Sequence, residues 1–317
     1  MKKFLLVTIL VAFLLLQGCD LLDDNNPKPE IPGKIVFSTN EKTKEPQVFK
    51  MNTDGSDLKN LTNFGKYSAF DPSWSPDGAK IVFTTTKKGA VSSDAIFIMN
   101  ADGSNKRPMK KISSDLVYLG GNPVWSPNGS KIAFEDCVAC SGGGINYEIF
   151  VYDFETDSVT RITNNYWKDR HPSWSPDGSK LAFSTEVAYV DSGLSGFKQD
   201  IYTLDLESRA LERITESGNA TDPNWSPDGR FITYQTAVGG VQAYLYDYET
   251  NGHKLLLPDF KTSGDVQWSN DGSLMLIQAS KYERATDQSR FYKFTEGKYE
   301  LIHIELKPAR GTFKWFN

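Results

Sequence analysis

Six polar side chains recur at one place in a repeated phrase. Asp71, Asn122, His171, Asp222, Asp265 and Thr312 each stand three residues before a tryptophan, and those tryptophans (Trp74, Trp125, Trp174, Trp225, Trp268 and Trp315) follow one another at steps of 51, 49, 51, 43 and 47 residues. Three carboxylates with Asn and Thr oxygens are hard donors of the kind calcium takes. Asx residues ahead of proline also cap neighbouring amides and shape loops, so the spacing admits both readings. No cofactor is demanded; a cation at Asp71, Asp222 and Asp265 is the one candidate. The six residues are expected to begin the innermost strands and to ring a channel mouth.

The remaining chemistry-bearing residues are few. Cys137 and Cys140 form a C-x-x-C in Asp136-Cys-Val-Ala-Cys-Ser-Gly-Gly-Gly. Outside the cytoplasm two thiols this close are expected to oxidise and staple their Gly-rich loop. A zinc site needs two further ligands, for which no second cysteine pair exists, and a redox-active pair usually opens a helix beside a strand. There are three histidines. His171 falls at the channel mouth, His253 in a turn on the opposite face and His303 in an outer strand, so they do not converge on one metal. Trp167 is the tryptophan outside the repeat position, flanked by Tyr166 and Arg170. Trp, Tyr and Arg are the types enriched at binding hot spots; the alternative is that Trp167 covers a gap between two structural units. Tyr118, Tyr189, Phe197 and Tyr282 are further aromatic candidates.

The elements that position these residues follow from the repeat. Ser-Trp-Ser-Pro-Asp-Gly stands at 73–78 and 173–178, with variants at 124–129, 224–229 and 267–272. Ser-Pro-Asp-Gly suits a type I turn, with Pro at its second position and Gly last. Such a turn joins the Trp strand to an apolar second strand such as Lys80-Ile-Val-Phe or Lys131-Ile-Ala-Phe. A third strand (Ala95-Ile-Phe-Ile-Met, Glu148-Ile-Phe-Val-Tyr) and a short polar fourth (Val159-Thr-Arg-Ile-Thr) complete the unit. Between them lie tight turns such as Asn52-Thr-Asp-Gly-Ser. Four antiparallel strands per ~40–50 residues is the signature of a β-propeller blade. The expected fold is all-β: a six-bladed β-propeller closed by one C-terminal strand, at Lys314-Trp-Phe-Asn, pairing with three N-terminal strands. Turns between strands one and two, and three and four, then share one face. The long connections share the other, among them Glu135 to Asn146, Asn164 to Arg170 and Glu186 to Gln199. Variable loops on a rigid scaffold tend to carry function, so the long-loop face, with Tyr166, Trp167, Arg170, Tyr118, Tyr189 and Phe197, is the expected binding surface. The six repeat tryptophans read as packing between blades.

These phrases resemble the WD40-like repeats of the TolB family, whose string is similar to P-x-W-S-P-D-G-x-x-[IL]-x-[FY]. Five copies cover roughly residues 34–317. The family resembles an N-terminal α/β domain followed by a propeller; this sequence runs from a leader through a short tail into the first blade, so TolB's role in the Tol-Pal system is not implied. Other propellers of this kind include oligogalacturonate lyases, which resemble carriers of several His ligands in the channel, and the propeller halves of prolyl-oligopeptidase-type enzymes, whose α/β-hydrolase domain and G-x-S-x-G phrase are absent here. The sequence therefore reads as a non-enzymatic binding module for an envelope protein or peptide. Polysaccharide binding, or a polysaccharide lyase or glycosidase, is the alternative.

Residues 1–18 read as a signal peptide: Lys2-Lys3, then an apolar run from Phe4 to Leu16, too short for a transmembrane span. Leu16-Gln-Gly-Cys19 resembles a bacterial lipobox, so Cys19 is the expected lipidation site. Residues 19–33 form a Pro-rich tether, and 34–317 one propeller domain. The expected location is the cell envelope, anchored to the outer membrane or to the periplasmic face of the inner membrane. The chain holds 35 Lys and Arg against 40 Asp and Glu, a formal charge of -5; without Lys2 and Lys3 the balance is 33 against 40, or -7. An acidic chain without basic runs argues against nucleic acid. A monomer is expected.

Overall fold

The Ser-Pro-Asp-Gly turn organises its own hairpin. In the first copy Gly78 N–H donates to Ser75 O (2.8 Å). Ser75 Oγ donates to Asp77 Oδ1 (2.5 Å) and accepts from Lys80 N–H (2.9 Å), and Asp77 Oδ1 also accepts from Ala79 N–H (3.0 Å). The Ser75 hydroxyl, and after it the Ala79 N–H, hold the Asp77 carboxyl below the usual carboxylate range. Gly78 takes φ +66°, in the left-handed region where a side chain is disfavoured. The same bonds recur at Ser126/Asn128, Ser175/Asp177, Ser226/Asp228 and Ser269/Asp271.

The computed structural model describes residues 33–40, 43–87, 95–109, 121–138, 146–191, 194–236, 241–258, 261–280, 288–295, 298–306 and 313–316. The expected leader and most of the tether lie outside these residues. The described strands form six antiparallel four-stranded sheets. The first joins Phe313–Phe316 to Lys34–Thr39, Gln47–Asn52 and Lys59–Asn60; the second joins Tyr67–Trp74, Lys80–Lys87, Ala95–Asn100 and Arg107–Pro108. Gly121–Trp125, Lys168–Trp174, Ala220–Trp225 and Lys261–Trp268 open the third to sixth. Each Trp-bearing strand lies against that of the next sheet. The architecture is an all-β propeller.

The hydrophobic cores lie between sheets rather than within them. Val36, Val48 and Leu61 of the first sheet pack with Trp74, Ile81 and Phe83 of the second, and Ala133, Ile149 and Ile162 of the third with Trp174, Leu181 and Phe183 of the fourth. Trp74, Trp125, Trp174, Trp225 and Trp268 are all buried, as expected of packing residues. Trp174 Nε1 donates to Val124 O of the preceding sheet (3.3 Å), and Trp125 and Trp225 stack on Phe154 and Tyr248.

Three local expectations are corrected. Glu186 to Gln199 is not an irregular loop: Lys180–Asp191 and Leu194–Asp205 pair in register almost to the tip, a hairpin extending well past its neighbours. His253 is not in a turn; it lies in the outer strand Gly252–Leu255, paired with Tyr246. The third concerns the residues before each tryptophan.

Candidate functional site

Asp71, Asn122, His171 and Asp222 do not begin their strands. Each sits inside one, at φ +50°, +49°, +54° and +54°. The register of the Trp strand on its neighbour shifts there, between Phe70 and Ser73, Gly121 and Val124, Arg170 and Ser173, and Thr221 and Asn224. The next residue, proline, has no N–H to give a ladder, and Asp, Asn and His tolerate the left-handed region best among side-chain-bearing residues. The repeated Asp/Asn/His-Pro pair is therefore a bulge signal.

The bulges bring these four residues to one small cavity of about 50 Å³, open to solvent, which also receives Lys314. The side chain of Asp265 and all of Thr312 lie outside the described residues. Among the described residues no group of three or more His, Cys, Asp or Glu side chains is placed to hold a metal ion. Lys314 was missed by sequence reasoning, although its place one residue before Trp315 repeats that of cavity-lining Val124 and Asn224; its ammonium adds a positive charge to a wall that also carries two carboxylates.

His171 is held from all sides. Nε2 lies 3.3 Å from Asp222 Oδ1, and Nδ1 lies 3.2 Å from Ser184 Oγ and 3.3 Å from Thr221 Oγ1. Its backbone N–H donates to Glu135 Oε2 of the third sheet (2.8 Å). Serine, imidazole and carboxylate in this order resemble a nucleophile relay. Ser184, however, is fully buried, its hydroxyl donates to Arg170 O (3.2 Å), and it accepts from Gln199 Nε2 (3.3 Å). Its hydroxyl is engaged within the wall, and the set orients the imidazole there.

The second constellation lies on the long-loop face. Tyr166 is fully exposed, Trp167 is 37 % exposed and Phe197 65 %. Tyr166 and Trp167 occupy the connection between the third and fourth sheets. Phe197 sits on the long hairpin, under the ammonium of Lys168 at 4.8 Å. Lys168 also pairs with Glu186. Arg170 is turned inward: its guanidinium lies 3.9 Å from the centre of the Tyr147 ring, with Nε 3.9 Å from Glu135 Oε1. It braces the fourth sheet on the third.

Buried carboxylates fix the Trp167 turn, and sequence reasoning missed them. Trp167 N–H donates to Asn165 Oδ1 (2.6 Å). Asn165 N–H donates to Glu148 Oε1 (2.9 Å), and Asn165 Nδ2 to Asp169 Oδ2 (2.8 Å). Glu148 also accepts from Arg161 Nη2 (2.8 Å) and Asn146 Nδ2 (3.1 Å), while Thr185 Oγ1 donates to Asp169 Oδ1 (2.9 Å). Both carboxylates are fully buried. Burial pushes Asp169 up to about 6 against the pull of its hydrogen bonds, and the Glu148 charge adds to the rise. The equivalent position is a neutral amide in the first sheet, where Gln47 Oε1 accepts from Thr62 Oγ1, and a single carboxylate in the fourth, where Asp200 Oδ1 accepts from Thr215 Oγ1. The junction under Trp167 holds two.

Of the other expected residues, Tyr118, Cys19 and Cys140 lie outside the described residues, as does the side chain of Tyr189. Cys137 ends the strand Lys131–Cys137 rather than lying in a loop, and it is disulfide-bonded. His253 Nδ1 meets the Tyr234 hydroxyl at 2.9 Å, and burial lowers its affinity for a proton. Among the described residues no helix is long and apolar enough to cross a membrane.

The chain is similar in shape to TolB from Acinetobacter baumannii, with TM-score 0.68 at 20 % identity over 90 % of this chain and 67 % of that one. The chain has the TolB-type propeller fold. A protein named TolB homolog from Chlorobium chlorochromatii is 30 % identical over 214 residues, 65 % of this chain and 40 % of that protein. An oligogalacturonate lyase solved in complex with manganese shares the fold at TM-score 0.60 and 16 % identity, over 84 % of this chain and 73 % of that one. Two further curated relatives are named as peptidases, and the chain spans only 19 % to 40 % of the length of the curated relatives it matches. No protein-family profile matches the chain.

Proposed function

We propose that this protein is an envelope lipoprotein, anchored through Cys19, whose TolB-like propeller binds a protein or peptide partner through its long-loop face. The observation that carries the reading is the exposed set Tyr166, Trp167 and Phe197, two of them on a turn fixed through Asn165 by three hydrogen bonds. Aromatic anchors on a preorganised support lose little entropy on binding. The six sheets are taken as six blades of a ring closed by Phe313–Phe316 on Lys34–Phe37, a reading supported by that pairing. The acidic balance supports a partner other than nucleic acid, and the protein is taken as a monomer.

The second reading is a polysaccharide ligand, favoured by the same aromatic platform and by the lyase that shares the fold. It makes catalysis the lesser alternative, because the cavity wall presents one histidine whose neighbours are already bonded. The test is capture of partners by the lipidated protein from detergent-solubilised native membranes, run beside a glycan array. A stoichiometric protein partner lost with Trp167→Ala supports the scaffold. Glycan binding lost with the same change, and no protein partner, replaces it with the polysaccharide reading. Cys19→Ala is expected to move the protein from the membrane to the soluble fraction; if it stays, the lipid anchor is wrong.

A further inference from the structure

We infer that Glu148 and Asp169 form a proton-operated clamp on the Trp167 turn, so that the long-loop face presents its aromatic anchors in one arrangement above neutral pH and releases them on acidification. This regulation rests on the binding reading above.

The geometry is specific to this junction. Asn165 is gripped twice, through its backbone N–H by Glu148 and through its side chain by Asp169, and its free amide oxygen is the acceptor for Trp167 N–H. The turn thus reaches both carboxylates through one residue. Among the described residues the one cation bonded to either carboxylate is Arg161, on Glu148. Glu148 Oε2 is buried with no hydrogen-bond partner among the described residues. Two like charges at a dry site with one counter-charge favour the uptake of a proton by the pair.

The proton has a structural consequence. As a carboxylate, Asp169 takes hydrogen bonds from Asn165 Nδ2 and Thr185 Oγ1 and from the Thr163 hydroxyl. All three donate to it, although the two threonine oxygens keep acceptor capacity of their own. Thr163 Oγ1 already accepts from Ile149 N–H (2.9 Å). Protonation turns charge-assisted bonds into neutral ones, roughly half as strong, and adds a donor that must find an acceptor. The Asn165 amide serves by turning over. Its oxygen then faces Asp169, its NH2 faces the Trp167 N–H, and the bond that fixed Trp167 is lost.

The other charged groups around Asp169 do not duplicate the effect. Tyr202, on the hairpin strand, feels the Asp169 charge but titrates far above this range. Lys168 is paired with Glu186, and Arg170 and Glu135 face each other across the junction. His171, two residues on, is the one rival near neutrality.

The test reads the turn without any partner. The full chain carries seven tryptophans, so selective 15N-tryptophan labelling gives seven backbone amide signals, and the one missing from Trp167→Phe is Trp167. That signal is expected to titrate with a midpoint near pH 6, to stop titrating in Asp169→Asn, and to shift its midpoint to lower pH in Glu148→Gln, which keeps Asp169 but removes the neighbouring charge. A Trp167 signal that stays fixed between about pH 5 and 8 overturns the clamp, as does unchanged titration in Asp169→Asn, which assigns the proton to His171. If Asp169→Asn does not fold, the Glu148→Gln shift decides, and an unmoved midpoint overturns the proposal. A fixed signal leaves partner capture untouched, whereas failed capture with a titrating signal overturns only the partner reading.

Discussion

Asp169 shows how one residue trades stability against position. Its folded affinity for a proton is raised from 3.8 to about 6 by burial, so the folded state binds the proton more tightly than the unfolded chain. The resulting stabilisation is full below about pH 4 and is lost as pH rises through about 6, a loss of about 3 kcal/mol by neutral pH. Asp169→Asn removes this dependence. Urea unfolding of parent and variant across that window should show their difference moving in the variant's favour as pH rises; a constant difference would place the dependence elsewhere. His253 works in the opposite direction, because a buried neutral imidazole weakens the fold as pH falls through the unfolded value near 6.5, so the comparison must be between variants rather than on the parent alone. None of this was visible in the letters of the sequence. Nothing in the residues around Glu148 and Asp169 marks them, and only the packing of the third sheet against the fourth buries both.

At the scale of the element, the turns were legible and the bulges were not. Ser-Pro-Asp-Gly specifies its geometry through atoms within six residues, so it reads directly. Gly229 makes the point quantitative: φ is +76°, and a Cβ would stand 3.2 Å from Pro176 Cγ of the preceding sheet. Gly229→Ala is expected to destabilise by about 1–2 kcal/mol, measured by urea unfolding, whereas Gly65→Ala, with nothing within 4 Å of its Cβ, should be near neutral. Asp-Pro, Asn-Pro and His-Pro were read as ligands or caps because their side-chain chemistry drew attention away from their backbone. The positive φ they share accounts for a mixed set of Asp, Asn and His better than cation chemistry does, since histidine is a poor ligand for calcium. The long hairpin was misread for the opposite reason. Glu186 to Gln199 reads as a long connection, but Ser195 and Gly196 pair with Val190 and Tyr189 without interrupting the strands.

For the whole molecule, the repeat period carried the architecture. Repeats of about 50 residues with a shared tryptophan leave few alternatives to a propeller, whereas the ligand depends on loop residues that differ from blade to blade. Two changes probe the ring. Trp174→Ala removes the indole from the core between the third and fourth sheets and should cost about 3–5 kcal/mol in equilibrium unfolding. Deleting Phe313–Phe316 uncovers the edge of Lys34–Thr39, and an uncovered edge templates association. Sedimentation velocity should then show oligomers; a monodisperse, equally stable deletion variant would mean that this strand does not close the ring.

The placement of each core between two sheets also bears on how the chain matures. Val36, Val48 and Leu61 are not covered until Trp74, Ile81 and Phe83 have been made, and each later blade hands the same debt to the next. A nascent chain therefore always trails one bare aliphatic face, about fifty residues wide in sequence. A chain cut at a boundary between sheets would leave that face uncovered, and such a fragment is expected to associate or to be held by a chaperone.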